Sequence, residues 1–311
     1  MIRGVALGEC MPACVRWDVD FHGKAGRTKR IARQIREASP RVVELRVEGE
    51  KGLGELPAIF TEVQKGNSRV EATLRLFPGA TSAALRGYAM DFIWHVNPSA
   101  PFLDLLPPGG ASISMTVDAD SLAHLPDVME EFSESEARSI HLTNINAIRA
   151  LAEVGHVPVP GRELLQEAAE RISRLAIPLA GKKLVVHDYF FWKLLRGVFG
   201  GGAGEEVGFS GCRAASALAY VDWEGNVYPC DSLPVRLGNL QERTFEKIWR
   251  SPARVQILNV LRAVPASCEP CDQLKGCLSG CPGLAYPVSG LTAGSEPSGP
   301  ERPAADGGRN F

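Results

Sequence analysis

Over residues 1 to 196, short apolar runs alternate with stretches in which apolar residues recur at helical spacing. Runs of β-branched residues bounded by turn residues read as strands, and a 3.6-residue stripe reads as an amphipathic helix. IRGVAL (2–7) is a predicted strand, followed by a helix near 28 to 38 with Ile31, Ala32 and Ile35 facing inward and the arginines outward. VVELRV (42–47), VEATLRLF (70–77), DFIWHV (91–96), SISMTV (112–117) and SIHLTNI (139–145) are further strands. Helices are expected around 55 to 65, 81 to 89, 121 to 133 and 161 to 176, and KLVVHDYF (183–190) as one more extended segment. Such alternation favours an α/β fold with a parallel sheet and right-handed crossovers. About six strand–helix units fit an open barrel as well as a doubly wound sheet, and periodicity alone does not separate the two.

The pattern stops at VFGGGAGEEVG (198–208), where glycine at this density breaks both helix and strand. Residues 198–207 are therefore read as a linker between a first domain (1–197) and a second (208–287). The second domain has few regular elements; LAYV and VYP alternate like the strands of a hairpin around Glu224, Gly225 and Asn226. The end, 288–311, is rich in Gly, Pro, Ser and Ala and is expected to be disordered.

Charge adds an exclusion. Across 311 residues, 34 basic and 36 acidic side chains leave a net charge of −2, which gives no general argument for nucleic acid. The basic run at 23–36 reads as the solvated face of a helix. No segment reaches the roughly 18 apolar residues that a bilayer demands. MIRGVALGEC lacks the apolar stretch of a secretion signal. The expectation is a cytoplasmic protein without a membrane partner, in a compartment where thiols stay reduced. Eight cysteines in such a setting point to metal or redox chemistry.

Six of the eight lie between 212 and 281. Cys212 and Cys230 flank the hairpin, and Cys268, Cys271, Cys277 and Cys281 follow the spacing C-x2-C-x5-C-x3-C. Short gaps let neighbouring thiolates converge on one centre, and Gly276, Gly280 and Gly283 relieve backbone crowding around it. An apolar core gives no reason for such spacing, so the set reads as metal-binding. Structural zinc held by Cys268, Cys271, Cys277 and Cys281 and an iron–sulfur cluster both satisfy it.

The pattern C-x12-G-x4-C (Cys212, Gly225, Cys230) followed by C-x2-C-x5-C-x3-C resembles the SPASM domain, the auxiliary-cluster module of radical SAM peptide maturases. DWEGNVYPC, LGNLQERTFEKIW (237–249) and GCPG (280–283) carry the likeness beyond the cysteines. The resemblance favours iron–sulfur over zinc and implies one or two [4Fe-4S] clusters. Carried over by position, Cys212, Cys230 and Cys281 serve the first, and Cys268, Cys271 and Cys277 the second. The family closes its pattern with a further cysteine, and none follows Cys281 here. That leaves Asp231, Asp272 or a residue of a partner as candidates for a missing ligand.

The first domain fits the same resemblance. Radical SAM enzymes are partial (β/α)6 barrels whose first loop carries C-x3-C-x2-C around the cluster that binds S-adenosylmethionine. Here Cys10 and Cys14 match the first two positions and Trp17 stands at the third, while the usual Gly-Gly-Glu-Pro is reduced to Glu48-Gly49-Glu50-Lys51. The resemblance thus implies a degenerate barrel that does not cleave S-adenosylmethionine by itself, with Cys10 and Cys14 as remnants of the cluster loop. The combination is similar to the SPASM-domain protein of the GeoRSP peptide-modification system. That family implies an accessory role beside a radical SAM/SPASM maturase and a precursor peptide or its chaperone. An enzyme with an unusual ligand set and a zinc-stabilised binding protein are the alternatives.

His22, His95, His124, His141, His156 and His187 lack metal-ligand spacing with one another and read as core-edge or surface residues. His187 beside Asp188 sits near a possible strand end, where a barrel places its active face. No nucleophile elbow, phosphate loop or dinucleotide fingerprint is present.

Overall fold

The computed structural model describes residues 11–19, 25–47, 50–75, 91–106, 110–175, 179, 181–199, 212–272, 274–277 and 279–293. The first half alternates as β1 (Cys14–Val19), α1 (Ala25–Ala38), β2 (Val42–Val47), α2 (Glu50–Gln64), β3 (Arg69–Arg75), β4 (Asp91–His95), β5 (Ser112–Thr116), α3 (Leu125–Glu134) and β6 (Ser139–Thr143). It continues through α4 (Ala147–Val154), α5 (Arg162–Leu175), β7 (Lys183–Val186) and α6 (Tyr189–Phe199). The second half adds β8 (Leu218–Val221), β9 (Asn226–Tyr228), β10 (Gly238–Asn239), α7 (Phe245–Trp249), α8 (Pro252–Arg262), α9 (Leu274–Cys277) and α10 (Pro282–Ala293).

The ten strands of the described residues form one mixed sheet in the order β10-β9-β8-β1-β2-β3-β4-β5-β6-β7. From β1 to β7 every pairing is parallel, and β8 joins the free side of β1 in parallel, with Cys14 opposite Leu218 and Trp17 opposite Val221. The hairpin therefore extends the sheet of the first half rather than standing apart from it. Its turn is held by Asp222, whose carboxylate accepts from the amides of Glu224 and Asn226, both at 2.9 Å, and Gly225 supplies a φ of +85°.

Strand side chains alternate between the two faces. Val15, Trp17 and Val19 of β1, Val43, Leu45 and Val47 of β2, and Ile140 and Leu142 of β6 share one core with Ile31, Ala32 and Ile35 of α1. The opposite face is polar: Cys14, Arg16 and Asp18 of β1, and Glu44 and Arg46 of β2. The sheet curls around that face. Asn146, just past β6, donates to Asp18 of β1 at 3.2 Å. In a flat sheet five strand steps would put these two strands about 24 Å apart. Two more links close the same gap: Ala147 N–H to the Asp231 carbonyl at 2.9 Å, and the Ser232 hydroxyl to the Ile145 carbonyl at 2.9 Å.

Several expectations change. Trp17 lies in no loop: it is a strand residue 1% exposed. Cys14 opens β1 instead of following it, because VRWDV carries the apolar alternation the core needs. IRGVAL, Cys10, the helix at 81–89, and Glu48 and Gly49 lie outside the described residues. KLVVHDYF is extended only to Val186, since Asp188 caps α6 by accepting from the Phe191 amide at 2.6 Å. α6 then runs to Phe199, into the expected linker, because Val198 and Phe199 pack against the core. Likewise α10 continues to Ala293, past the expected onset of the tail at 288, on a start anchored by the buried Leu284 and Ala285.

Two measurements test this account. Trp17→Cys is expected to cost about 3–5 kcal/mol in urea unfolding, with Trp17→Phe costing less, and to add no metal site, because the side chain at 17 faces the helical layer. Asp231 accepts from Arg46 at 2.5 Å and from Arg16 at 3.3 Å with its side chain 6% exposed, so Asp231→Asn leaves two arginines short of a counter-charge. Glu44 still pairs with Arg16 at 2.8 Å, so the expected loss is at the low end of the range for broken buried pairs, about 3 kcal/mol. Because the folded carboxyl is depressed, its contribution is present above the unfolded value of about 3.9 and lost as pH falls below it. The acid limb of a stability–pH curve should therefore flatten in the variant.

Candidate metal centre

A cavity of about 300 Å³ opens between the two ends of the curled sheet. Four thiols line it: Cys14 from β1, Cys212 and Cys230 from either side of the hairpin, and Cys281 just before α10. Its polar lining includes Arg16, His187, Tyr189, Arg213, Asp231 and Ser232. The three residues that the resemblance assigns to a first cluster, Cys212, Cys230 and Cys281, are thus brought together from segments up to 69 positions apart.

Local chemistry explains each placement. The amides of Ser216, Ala217 and Leu218 all point at the Arg213 carbonyl, at 3.2, 3.0 and 2.9 Å, winding the chain tightly between Cys212 and β8. Within that turn Ala215 takes a φ of +54°, a costly value for a residue with a side chain. Its carbonyl is held at 2.8 Å by the guanidinium of Arg254, itself 1% exposed and stacked 5.1 Å from the Trp249 ring. On the other side, Gly280 adopts φ +76°, and a Cβ at Gly283 would stand 2.7 Å from the Ser232 carbonyl oxygen. Only glycine lets the start of α10 approach the 230–232 loop so closely, and that approach carries Cys281 to Cys230.

The electrostatics are those of a buried, positively edged site. Burial would raise the Asp231 carboxyl, but Arg46 and Arg16 more than reverse it and hold it well below the usual carboxylate range. Both of its oxygens are occupied by these arginines, and Asp272 is exposed and does not line the cavity, so neither candidate for the missing ligand is offered to it. Burial, and then the charge of Glu44, push the Cys14 thiol up to about 11. Burial likewise raises Cys230. His187 is pushed down to about 4 by burial and by Arg16, so it is neutral at physiological pH. A cation coordinated by the thiols would reverse their preference outright.

Cys268, Cys271 and Cys277 do not line this cavity. Cys268 and Cys277 are buried and Cys271 is half-buried, on tight turns in which the Cys271 amide donates to the Cys268 carbonyl at 3.0 Å. None of the seven described cysteines forms a disulfide. Among the described residues no three His, Cys, Asp or Glu side chains are grouped as for a single metal ion.

Sequence reading missed Arg16, Arg46 and Arg254, and it named Asp231 as a candidate ligand where the structure pairs it with two arginines. The signal for the first two was present: charged residues at alternate positions inside VRWDV and VVELRV mark a strand face turned to a polar interior. Nothing local marks Arg254, whose task depends on the strained turn it meets. His187 lines the cavity, while its neighbour Asp188 caps a helix.

Residues 212–273 match the SPASM family, described as an iron–sulfur cluster-binding domain. An AdoMet-dependent heme synthase of Methanosarcina barkeri is 32% identical over 94 residues, 30% of this chain and 27% of that protein. The same enzyme of Nitratidesulfovibrio vulgaris is 30% identical over 87 residues, 28% of this chain and 23% of that protein. The matches thus span about a quarter of those relatives. Among solved structures, SuiB of Streptococcus suis superposes with a TM-score of 0.62 at 12% identity, over 93% of this chain and 77% of SuiB. Native anSMEcpe with bound AdoMet gives 0.60 at 12% identity, over 91% and 93%. The molecule thus joins a SPASM-like iron–sulfur segment to a parallel-sheet α/β fold of the kind found in radical SAM/SPASM enzymes.

Proposed function

We propose that this chain is an iron–sulfur accessory protein of radical SAM-dependent peptide modification, built as a degenerate partial (β/α)6 barrel with a SPASM module after the glycine-rich segment that follows α6. It is most like the SPASM-domain protein of the GeoRSP system. Cys212, Cys230 and Cys281 hold a first cluster, and Cys268, Cys271 and Cys277 a second. The observation that carries the reading is the convergence of the first three thiols on one cavity, beside a β1–α1 connection without cysteine. That connection, residues 20–24, reads DFHGK. Radical SAM enzymes carry their catalytic thiolates in the first loop; here the only cysteines of the first half are Cys10 and Cys14, and Cys14 already begins β1.

When bound, the clusters supply one-electron transfer, with potentials set by hydrogen bonding, charge and exposure around the sulfurs. The chain's own residues prepare for this. Arg16 and Arg213 place positive charge beside the thiolates, and neutral His187 offers a ring nitrogen without a net charge. The partner is an active radical SAM/SPASM maturase, and the substrate it serves is a precursor peptide alone or with its chaperone. Peptide is bound in two superposing structures, anSMEcpe with AdoMet and the Kp18Cys or the Cp18Cys peptide, at TM-scores of 0.58 and 0.57, which is consistent with a peptide partner here.

Anaerobic reconstitution followed by iron, sulfide and Mössbauer analysis is the direct test. Iron and acid-labile sulfide in equal amounts, about four of each per cluster, are expected; stoichiometric zinc without sulfide would sink the reading. The same dithionite-reduced protein incubated with S-adenosylmethionine is expected to release no 5′-deoxyadenosine above background. Product formation would make the chain an enzyme in its own right.

A further inference from the structure

The three thiols assigned to the first cluster leave one coordination position of a cubane open, and none of residues 282–311 is a cysteine. The geometry points to Cys14 as the fourth ligand: the first residue of β1 completes an all-thiolate site with Cys212, Cys230 and Cys281. This inference rests on the iron–sulfur reading above and goes beyond it, because it takes a residue of the first half out of the remnant-loop role and gives it a place in the auxiliary centre.

Four observations carry it. Cys14 lines the same 300 Å³ cavity as the other three thiols. Its side chain must point there, because strand alternation puts it on the face of Arg16 and Asp18, while Val15 and Trp17, 0% and 1% exposed, fill the core on the other side. Its backbone is pinned from both sides: the Cys14 amide donates to the Ala217 carbonyl at 2.9 Å. The Ala13 carbonyl accepts from the amides of Arg41 and Val42 at 2.8 and 3.0 Å. The same β1–β8 register that fixes Cys14 opposite Leu218 also fixes the turn that carries Cys212. Finally, Arg16 is two residues further along the same face and binds Asp231, the neighbour of Cys230, so an ion pair joins β1 to the Cys230 loop.

The two aspartates do not compete for that position. Asp231 is committed to two arginines, and Asp272 lies in solvent. A site with four protein thiolates has no open iron, so the first cluster would exchange electrons without binding a small molecule. It would also tie the hairpin to β1 through metal, adding to the backbone ladder and the Arg16–Asp231 ion pair that already join them.

The test compares the full chain, anaerobically reconstituted, with its Cys14→Ala, Cys14→Ser and Cys10→Ala variants. Readouts are iron and sulfide per chain, Mössbauer spectra, and the EPR spectrum of the dithionite-reduced protein. Cys14→Ala is expected to lose up to about four irons per chain, or to retain a cluster with one iron spectroscopically distinct. Cys14→Ser, nearly isosteric, is expected to fold as the parent by circular dichroism and to shift the EPR signal and potential of one cluster. Cys10→Ala should match the parent in every measurement. Parental iron content and spectra in the Cys14 variants would overturn the assignment while leaving the iron–sulfur reading intact. A parent chain that takes up no iron and sulfide would overturn both.

Discussion

The cross-link of Arg16 and Arg46 to Asp231 is the contact on which the rest of the architecture turns. Two strands of the first half each present a guanidinium to a carboxylate of the second half, in a place with little water. Such charges are costly to bury singly and tolerable only as a closed set. Glu44 between the two arginines completes it, so two positive and two negative groups are mutually satisfied. Remove the second half and β1 and β2 would display two cations with only Glu44 as counter-charge on the inside of a curled sheet. The two halves therefore belong to one folding unit more than a glycine-rich connection implies.

That constraint places the chemistry. Asp231 follows Cys230, so anchoring the carboxylate anchors the thiol. Arg16 follows Cys14 by two, so the same ion pair sets the distance between β1 and the hairpin. The cost of bringing these segments together is visible in the left-handed Ala215 and in the contact of Gly283 with Ser232, and it is offset by Arg254 and by the β1–β8 ladder. Strain of this sort persists where surrounding structure over-determines it, and it gathers at functional sites.

The upper part of the polar face is organised differently. Asp18 there accepts from Tyr220, Asn146 and Arg149, at 2.7, 3.2 and 3.0 Å, drawing β1, β8 and the start of α4 to a point. Beside these bonds Asp18, Arg46, Asn146 and Arg149 line a second cavity of about 120 Å³, with Thr73 and His95 across from them.

Much was legible in the sequence because it is local. Strand and helix identity over β2, β5, β6, α1 and α5 follows from the spacing of apolar residues, and the hairpin from Asp222, Gly225 and their neighbours. The density of cysteines between 212 and 281 named a metal-binding segment with no structure at hand. What sequence order could not express was adjacency across the chain. Cys14 lies nearly 200 residues before Cys212, and its spacing from Cys10 suggested a different partner set altogether. Only pairing β8 to the outer edge of β1 brings it to the others. The same holds for Trp17, read as a failed ligand beside Cys14 but placed by strand alternation on the opposite face. Residue spacing governs which side chains share a strand or helix face; which faces meet was decided by the closure of buried charge and apolar area in the whole fold.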